Sequence, residues 1–405
     1  MDVLNEVRLE NTLKIVDLIM KREEISRVDL ARSMNLTKTT ISNIVSNLID
    51  EGLIREKRTV VSGLGRPQTM LEINSENTYI IGIGIMRDRV EGCLVNVKGR
   101  ILKQSFREFT GNVSGNRAEI FNTLFAVIDE FFTGNSNLSG QIKAISLGIS
   151  GPLDIKNGII KQPPQFPELE NIAIVDMLSK KYEVDVWIEN DADMAALGER
   201  WYGGGRELDD FIYFFVDNGI GCGIIINGEI YHGKHDYAGE IGHLMMLVDN
   251  KFKYFEDLYG IGVILRRART EISDEIKDIQ DLTTKFNSGD KKSEILFEEV
   301  SRAMGGAILS MIHMFGISDI FIGGKAIYFG NKFISNIEKV VDENLFYRHD
   351  VSIRFSNLGN LAMPMGAAVH GIRKLFEKKI IRFIYDSKFE SKINSQSNHF
   401  GFKNS

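Results

Sequence analysis

Cysteine is nearly missing from this chain of 405 residues: only Cys93 and Cys222 occur. Two thiols cannot build a disulfide framework, and no Cys-x-x-Cys pair offers zinc its usual structural ligands. Long apolar runs are missing too, since none reaches the ~18 residues that a membrane span needs. The first ten residues are acidic and mixed, without a hydrophobic signal core, so the chain is expected in the cytoplasm with no membrane partner. Nor is there an excess of one charge. The 49 basic and 55 acidic residues leave a net charge of −6, which excludes a uniformly basic nucleic-acid coat but not a local basic patch. What is present is ordinary globular composition, 43% hydrophobic and 26% charged, with length for two or three domains.

The pattern changes near residue 75. Before it lies a neutral segment, with eleven Lys and Arg against eleven Asp and Glu. Leu9, Leu13, Val16 and Met20 recur at helical spacing and predict a helix over about 5–21. Ser26 is a good N-cap for a short second helix carrying Val28, Leu30 and Ala31. After a turn at 34–36, Thr37 caps a third helix. There Ile41, Ile44, Val45, Leu48 and Ile49 form an inward stripe, and Gly52 ends it. Strand 53–61, glycine loop 62–67 and strand 69–73 then read as a hairpin wing.

Beyond residue 75 come glycine-rich apolar strands. Strands at 79–85, 90–97 and on to about 109 meander. A helix at 118–132, a buried strand at 142–149, a helix at 172–181 and a strand at 184–188 follow. This is an α/β lobe on a mixed sheet. A similar opening recurs over 211–233, so the two halves read as a duplicated lobe. The polar stretch 386–405 reads as a mobile tail.

The outward face of the third helix carries Thr39, Ser42, Asn43 and Ser46, with Lys38 at its N-terminal edge. Short uncharged donors and acceptors can reach base edges, and a helix N-terminus can face phosphate. Arg66 stands beside two glycines at the wing, a device suited to narrow-groove insertion. Residues 32–66 hold six basic residues against three acidic ones, the one notable basic excess of this domain. Thr37, Lys38, Thr39, Thr40, Ser42, Asn43 and Arg66 are thus the candidate contacts to duplex DNA. The alternative is a three-helix protein-interaction module with a solvated polar face.

Several motifs together carry a resemblance. They are Ile149-Ser150-Gly151-Pro152-Leu153-Asp154, Glu189-Asn190-Asp191-Ala192, Ala195-Ala196-Leu197-Gly198-Glu199, the glycine turns of 219–228, and Ala238-Gly239-Glu240-Ile241-Gly242-His243. With the winged helix-turn-helix of residues 9–73, the chain resembles the ROK family of repressors and sugar kinases over roughly 9–380. The resemblance implies an N-terminal winged helix-turn-helix at 1–75. A two-lobed actin/hexokinase-like (ribonuclease H-like) ROK body would follow, one lobe over 76–190 plus about 365–385 and the other over 191–364. It implies a sugar cleft at Gly151, Asn190, Asp191, Glu240 and His243, with Glu256 matching a second sugar-binding glutamate. In family kinases the residue matching Asp191 is the general base. Read physically, Asn190 and Asp191 follow a strand and precede a helix, where α/β folds present ligand groups. Asp191 as a plain N-cap and His243 as a structural histidine remain the alternatives.

The sequence departs from the family in two places. Family kinases carry Asp-x-Gly-Gly-Thr after the first strand, to serve Mg²⁺ and cradle phosphate. Here the stretch is Gly84-Ile85-Met86-Arg87-Asp88-Arg89, and Asp217-Asn218-Gly219 stands where Gly-Thr-Gly is usual. Phosphoryl transfer is almost entirely positioning and charge stabilisation, so these losses should abolish it. Ile322-Gly323-Gly324 keeps the adenosine-side glycines but is weak alone. The family's zinc site uses one His and three Cys, yet no Cys lies between His243 and Gly260. Only His232 and His235 are near, and Phe252, Tyr254 and Phe255 are expected to pack in the metal's place. The expectation is a sugar-responsive DNA-binding transcriptional regulator, most simply a repressor and not an enzyme, with no cofactor and no metal. A homodimer or higher homo-oligomer on a palindromic operator is expected. The alternative is an active ROK sugar kinase with an appended DNA-binding domain.

Overall fold

The unbroken apolar run 211–216, and the run 142–149 interrupted only by Lys143 and Ser146, are strands buried along nearly their whole length, and each lies inside a sheet. The computed structural model describes residues 3–60, 67–76, 78–110, 116–133 and 138–397. The chain opens with helix α1 (Val3–Arg22), strand β1 (Ile25–Ser26), helices α2 (Arg27–Met34) and α3 (Lys38–Asp50), then strands β2 (Ile54–Val60) and β3 (Gln68–Ile73). The three strands pair in the order β1-β3-β2. Ser26 caps α2 by accepting from the Asp29 N–H at 3.1 Å, and Thr37 caps α3 by accepting from the Thr40 N–H at 3.1 Å. Ile41, Ile44, Val45 and Leu48 are buried as the stripe predicts, and Gly52 takes φ +66° beyond the helix end. The wing tip, with Arg66, lies outside the described residues.

The first lobe continues with β4 (Tyr79–Ile85), β5 (Arg89–Asn96), β6 (Ile101–Glu108), α4 (Arg117–Thr133), β7 (Ile142–Ile149), the short pair β8 (Leu153–Asp154) and β9 (Ile159–Ile160), α5 (Ile174–Tyr182) and β10 (Asp185–Asn190). Its sheet runs β10-β7-β4-β5-β6. Strand β4 is antiparallel to β5 and parallel to β7. Helix α6 (Asp191–Tyr202) leads to the second lobe, with β11 (Phe211–Val216), β12 (Ile220–Ile226), β13 (Glu229–Ile230), the hairpin β14 (Met245–Val248) and β15 (Lys251–Tyr254), α7 (Phe255–Tyr259), α8 (Ile261–Glu271), α9 (Ile279–Asn287), α10 (Lys291–Phe315), β16 (Asp319–Gly324), α11 (Asn331–Asn344) and β17 (Ser352–Phe355). Its sheet runs β13-β12-β11-β16-β17, the same order of antiparallel and parallel pairs as the first. The repeated opening in the sequence is therefore a repeated sheet.

Helix α12 (Ala362–Ser397) closes the chain and packs on α6, β4 and β7. Within the stretch read as a tail, residues 386–397 continue this helix, while 398–405 lie outside the described residues. Helix propensity carries a polar stretch onward once the packed turns before it have nucleated the helix. The winged domain does not hang free. Ile15, Val16 and Ile19 of α1 share one core with Ile80, Ile372 and Phe376 of the body. Among the described residues no helix is long and apolar enough to cross a membrane.

Candidate functional site

The structure presents two sites. The first is the outward face of α3. Thr37, Lys38, Thr39, Ser42, Asn43 and Ser46 are exposed and Thr40 is half-exposed. Thr37 and Thr40 have a local task as well, because their hydroxyls share a hydrogen bond of 2.8 Å in the N-terminal cap. The expected basic excess is partly spent inside the domain. Arg32 pairs with Asp29, Arg55 with Glu72 and Glu76, and Lys57 and Arg58 with Glu24. The acidic partners all fall outside the 32–66 window, which is why a count over the window missed them. Lys38 stays exposed on the outward face of α3.

The second site is the cleft between the lobes, lined at the carboxyl ends of the central parallel strands, where open α/β sheets bind ligands. Gly151, Asn190, Asp191, Glu240, His243 and Glu256, all inferred from sequence, line this one cleft. The helix-capping role falls to Asn190. Its Oδ1 accepts from the N–H groups of Ala192 at 2.9 Å and Asp193 at 3.3 Å. Asp191 is the first helical residue, and its Oδ1 accepts from the Ala192 N–H at 2.8 Å. Burial pushes the Asp191 carboxyl up to about 7; that hydrogen bond pulls it down, and the nearby Glu240, Asp193 and Asp217 push it up further. Across the cleft His243 Nδ1 meets Glu240 Oε2 at 3.1 Å, and His243 Nε2 lies 4.0 Å from Glu256 Oε1. Glu256 is anchored by the Ile220 N–H at 3.3 Å, and burial raises its carboxyl above the usual range. Carboxylates, an amide and an imidazole converging on one cleft suit a ligand rich in hydroxyls.

The positions that match the family's kinase motifs are filled differently here. A Cβ on Gly84 would lie 2.6 Å from Met363 Sδ and 3.3 Å from Met86 Sδ, so thioethers fill the place of a metal-binding carboxylate. Gln165 crosses the second phosphate turn, its Nε2 only 1.8 Å from where a Gly219 Cβ would stand. Asp217 does not face this space as a free carboxylate. Arg89 donates to Asp217 at 3.2 Å, to Glu91 at 2.6 Å and to Asp88 at 2.7 Å, while Lys325 pairs with Asp88 and lies 3.6 Å from Asp217. Sequence reading did not find these ion pairs, since Arg89 and Asp217 stand 128 positions apart. Gly323 is explained by packing, since a Cβ there would sit 1.8 Å from the Tyr213 hydroxyl oxygen. These residues do not fit a magnesium-bound nucleotide.

Nor do the residues after His243 fit a thiolate zinc. Cys93 and Cys222 are both buried, and neither lies on the β14–β15 hairpin. Phe255 is fully buried and Tyr254 meets the His243 ring edge-on at 5.0 Å. Phe252 differs from the expected packing: it is 66% exposed, beside Leu247 on the outer face of the hairpin. His232 instead joins Glu189 and Asp193, with its Nδ1 3.5 Å from Asp193 Oδ2, and that contact raises its affinity for a proton.

The pattern of the ROK family matches residues 80–373, and a winged helix-turn-helix DNA-binding pattern matches residues 8–55. The chain is 24% identical over 376 residues to the xylose repressor of Caldicellulosiruptor bescii, covering 88% of this chain and 94% of that one. It is 31% identical over 271 residues to the xylose repressor of Staphylococcus xylosus, covering 65% and 69%. It is also 25% identical over 333 residues to the transcriptional dual regulator NagC of Escherichia coli, covering 79% and 81%. A ROK family transcriptional regulator described as a homologue of the E. coli MLC protein shares the fold with a TM-score of 0.75 at 22% identity, over 94% of this chain and 99% of that one. The ROK hexokinase of Thermus thermophilus matches with a TM-score of 0.61 at 23% identity, over 74% and 100%. A winged DNA-reading head on a two-lobed body, with the family's pattern running through most of that body, establishes that this chain belongs to the ROK family.

Proposed function

We propose that this protein is a sugar-responsive transcriptional repressor of carbohydrate-utilisation genes, acting in the cytoplasm on duplex DNA and carrying out no phosphoryl transfer. The observation that carries the reading is the asymmetry of the cleft. The groups suited to sugar hydroxyls are kept, while the phosphate half is closed by Met363, Gln165 and the Arg89 ion pairs. The exposed face of α3 reads bases, and Lys38 and Arg66 serve phosphate or the minor groove. A single winged helix makes few contacts, so two copies act together on a palindromic site. The sugar shifts the population of DNA-competent dimers through its differential affinity for one arrangement of lobes and head.

Asp191→Ala tests the cleft. It removes a charge-assisted acceptor worth about 1.5–3 kcal/mol, or roughly ten- to hundred-fold in sugar affinity. Operator binding by the variant should persist, and its response to sugar should disappear at concentrations that switch the wild type. Titrating a labelled operator with and without a monosaccharide panel reads both. A full sugar response in the variant places the effector site elsewhere. Sugar phosphate formed by the wild type with ATP and Mg²⁺ would restore the kinase reading.

A further inference from the structure

Either side of the cleft residues Asn190 and Asp191 stand two acids that the cleft does not use, and a histidine from a third element meets them. Glu189 is the penultimate residue of β10, Asp193 lies in the first turn of α6, and His232 stands in the loop after β13. One oxygen of each carboxylate and one ring nitrogen of His232 all lie within 4.8 Å of one another. His232 Nδ1 is 3.5 Å from Asp193 Oδ2. That is long for a hydrogen bond. It suits two donors that share an ion, since ligands about 2.0–2.1 Å from a tetrahedral metal stand about 3.3–3.4 Å apart.

The two acids are shut away without a cationic side chain to balance them. Glu189 is 5% exposed and Asp193 6%. Among the described residues neither pairs with a lysine or an arginine, and the other charged groups that face them, Asp236 and Glu240, are acidic too. One imidazole offsets at most one of two buried negative charges, whereas a divalent cation offsets both. Metal-free protein can answer only by holding protons on these acids. Glu189 is already oriented, because its Oε1 accepts from the Asn190 N–H at 2.9 Å. An imidazole among the ligands favours a first-row transition cation over Mg²⁺ or Ca²⁺, which take oxygen.

We propose that Glu189, Asp193 and His232 bind a divalent transition-metal cation, with water completing its shell. The site uses no thiolate and is separate from the hairpin that follows His243. The ion ties the strand–helix corner that presents Asn190 and Asp191 to the loop that leads to Glu240, and its binding does not depend on what the cleft takes. Calorimetric titration of chelator-stripped, full-length protein with Zn²⁺, Co²⁺ and Mg²⁺ tests it. The wild type should take one equivalent of Zn²⁺ or Co²⁺ and bind Mg²⁺ at least a hundred-fold more weakly. His232→Ala and Asp193→Asn should each weaken Zn²⁺ binding at least ten-fold. His235→Ala, three residues along and exposed, should leave it unchanged. The melting temperature should rise with Zn²⁺ in the wild type and not in His232→Ala. A wild type that takes up no Zn²⁺ overturns the proposal, and so does one that binds Mg²⁺ as tightly. Zn²⁺ binding that survives His232→Ala, or is lost with His235→Ala, puts the ion elsewhere and overturns it too. His232 stands half-exposed in a loop, so its variant decides the matter whether or not Asp193→Asn folds.

Discussion

A carboxyl shut away from water among other acids holds its proton longer than usual, and Asp191 is such a group. Its affinity for the proton, raised to about 7 by burial first and by Glu240, Asp193 and Asp217 after it, sets two pH dependences of opposite sign. Folding takes up a proton at this site. Its contribution to stability is therefore full below the ordinary carboxyl value of 3.8 and is lost as the pH rises through about 7. Sugar binding runs the other way, because the ionised form accepts hydroxyl hydrogen bonds. The ionised fraction grows about ten-fold between pH 6 and pH 8, and affinity for a neutral sugar should grow with it. Glu189, also raised to about 7 by burial, lies next door, so Asp191→Asn is the control. A steep pH profile that persists in this variant would assign the titration to Glu189.

At the scale of elements, α3 depends on its cap. Thr37→Ala removes the acceptor for the Thr40 N–H and should cost about 1 kcal/mol, read as earlier thermal unfolding and weaker operator binding. Asn43→Ala leaves the cap intact and should instead relax sequence preference by about 1–3 kcal/mol, if operator variants are compared at one salt concentration. Equal loss on every sequence would make Asn43 a phosphate contact. These helices were legible in the sequence because caps and stripes are local: Ser26, Thr37 and Gly52 occupy the positions their chemistry predicts. The six cleft residues were legible through motif resemblance, and the structure brings them to one cleft. What the sequence did not disclose was long-range pairing. Arg89 finds Asp217 across 128 positions, and Arg55 and Lys57 find Glu72 on the paired strand. No periodicity encodes such partners. The helical run of α12 to Ser397 escaped for a related reason, since it is seeded by packing far upstream.

At the scale of the whole molecule, head and body are joined by buried charge as well as by a shared core. Glu72 of the winged sheet is 1% exposed and accepts from Lys98 of the body at 2.6 Å and from Arg55 at 2.8 Å. Burial alone would raise its carboxyl, but the Lys98, Arg55 and Lys57 contacts outweigh it and hold it at about 2. This tie is present above the ordinary value of 4.5 and is lost as the pH falls toward 2. A second tie joins Asp17 of α1 to Arg373 of α12 at 2.9 Å. Glu72→Gln should leave sugar affinity in the cleft nearly intact and move the ratio of operator affinities, with and without sugar, toward one. Coupling energies of about 1–3 kcal/mol put that change within reach of a binding assay, and an unaltered ratio would show that the signal passes elsewhere. The ion pairs that span the lobes have one more consequence, for what position 84 can accept. Gly84 pairs directly with Glu91 across the sheet. Gly84→Asp would set a new acid opposite that buried one, force it against Met363, and find Arg89 already committed to three carboxylates. The substitution alone should therefore loosen the seam between the lobes, read as earlier thermal unfolding, and form no sugar phosphate with ATP and Mg²⁺.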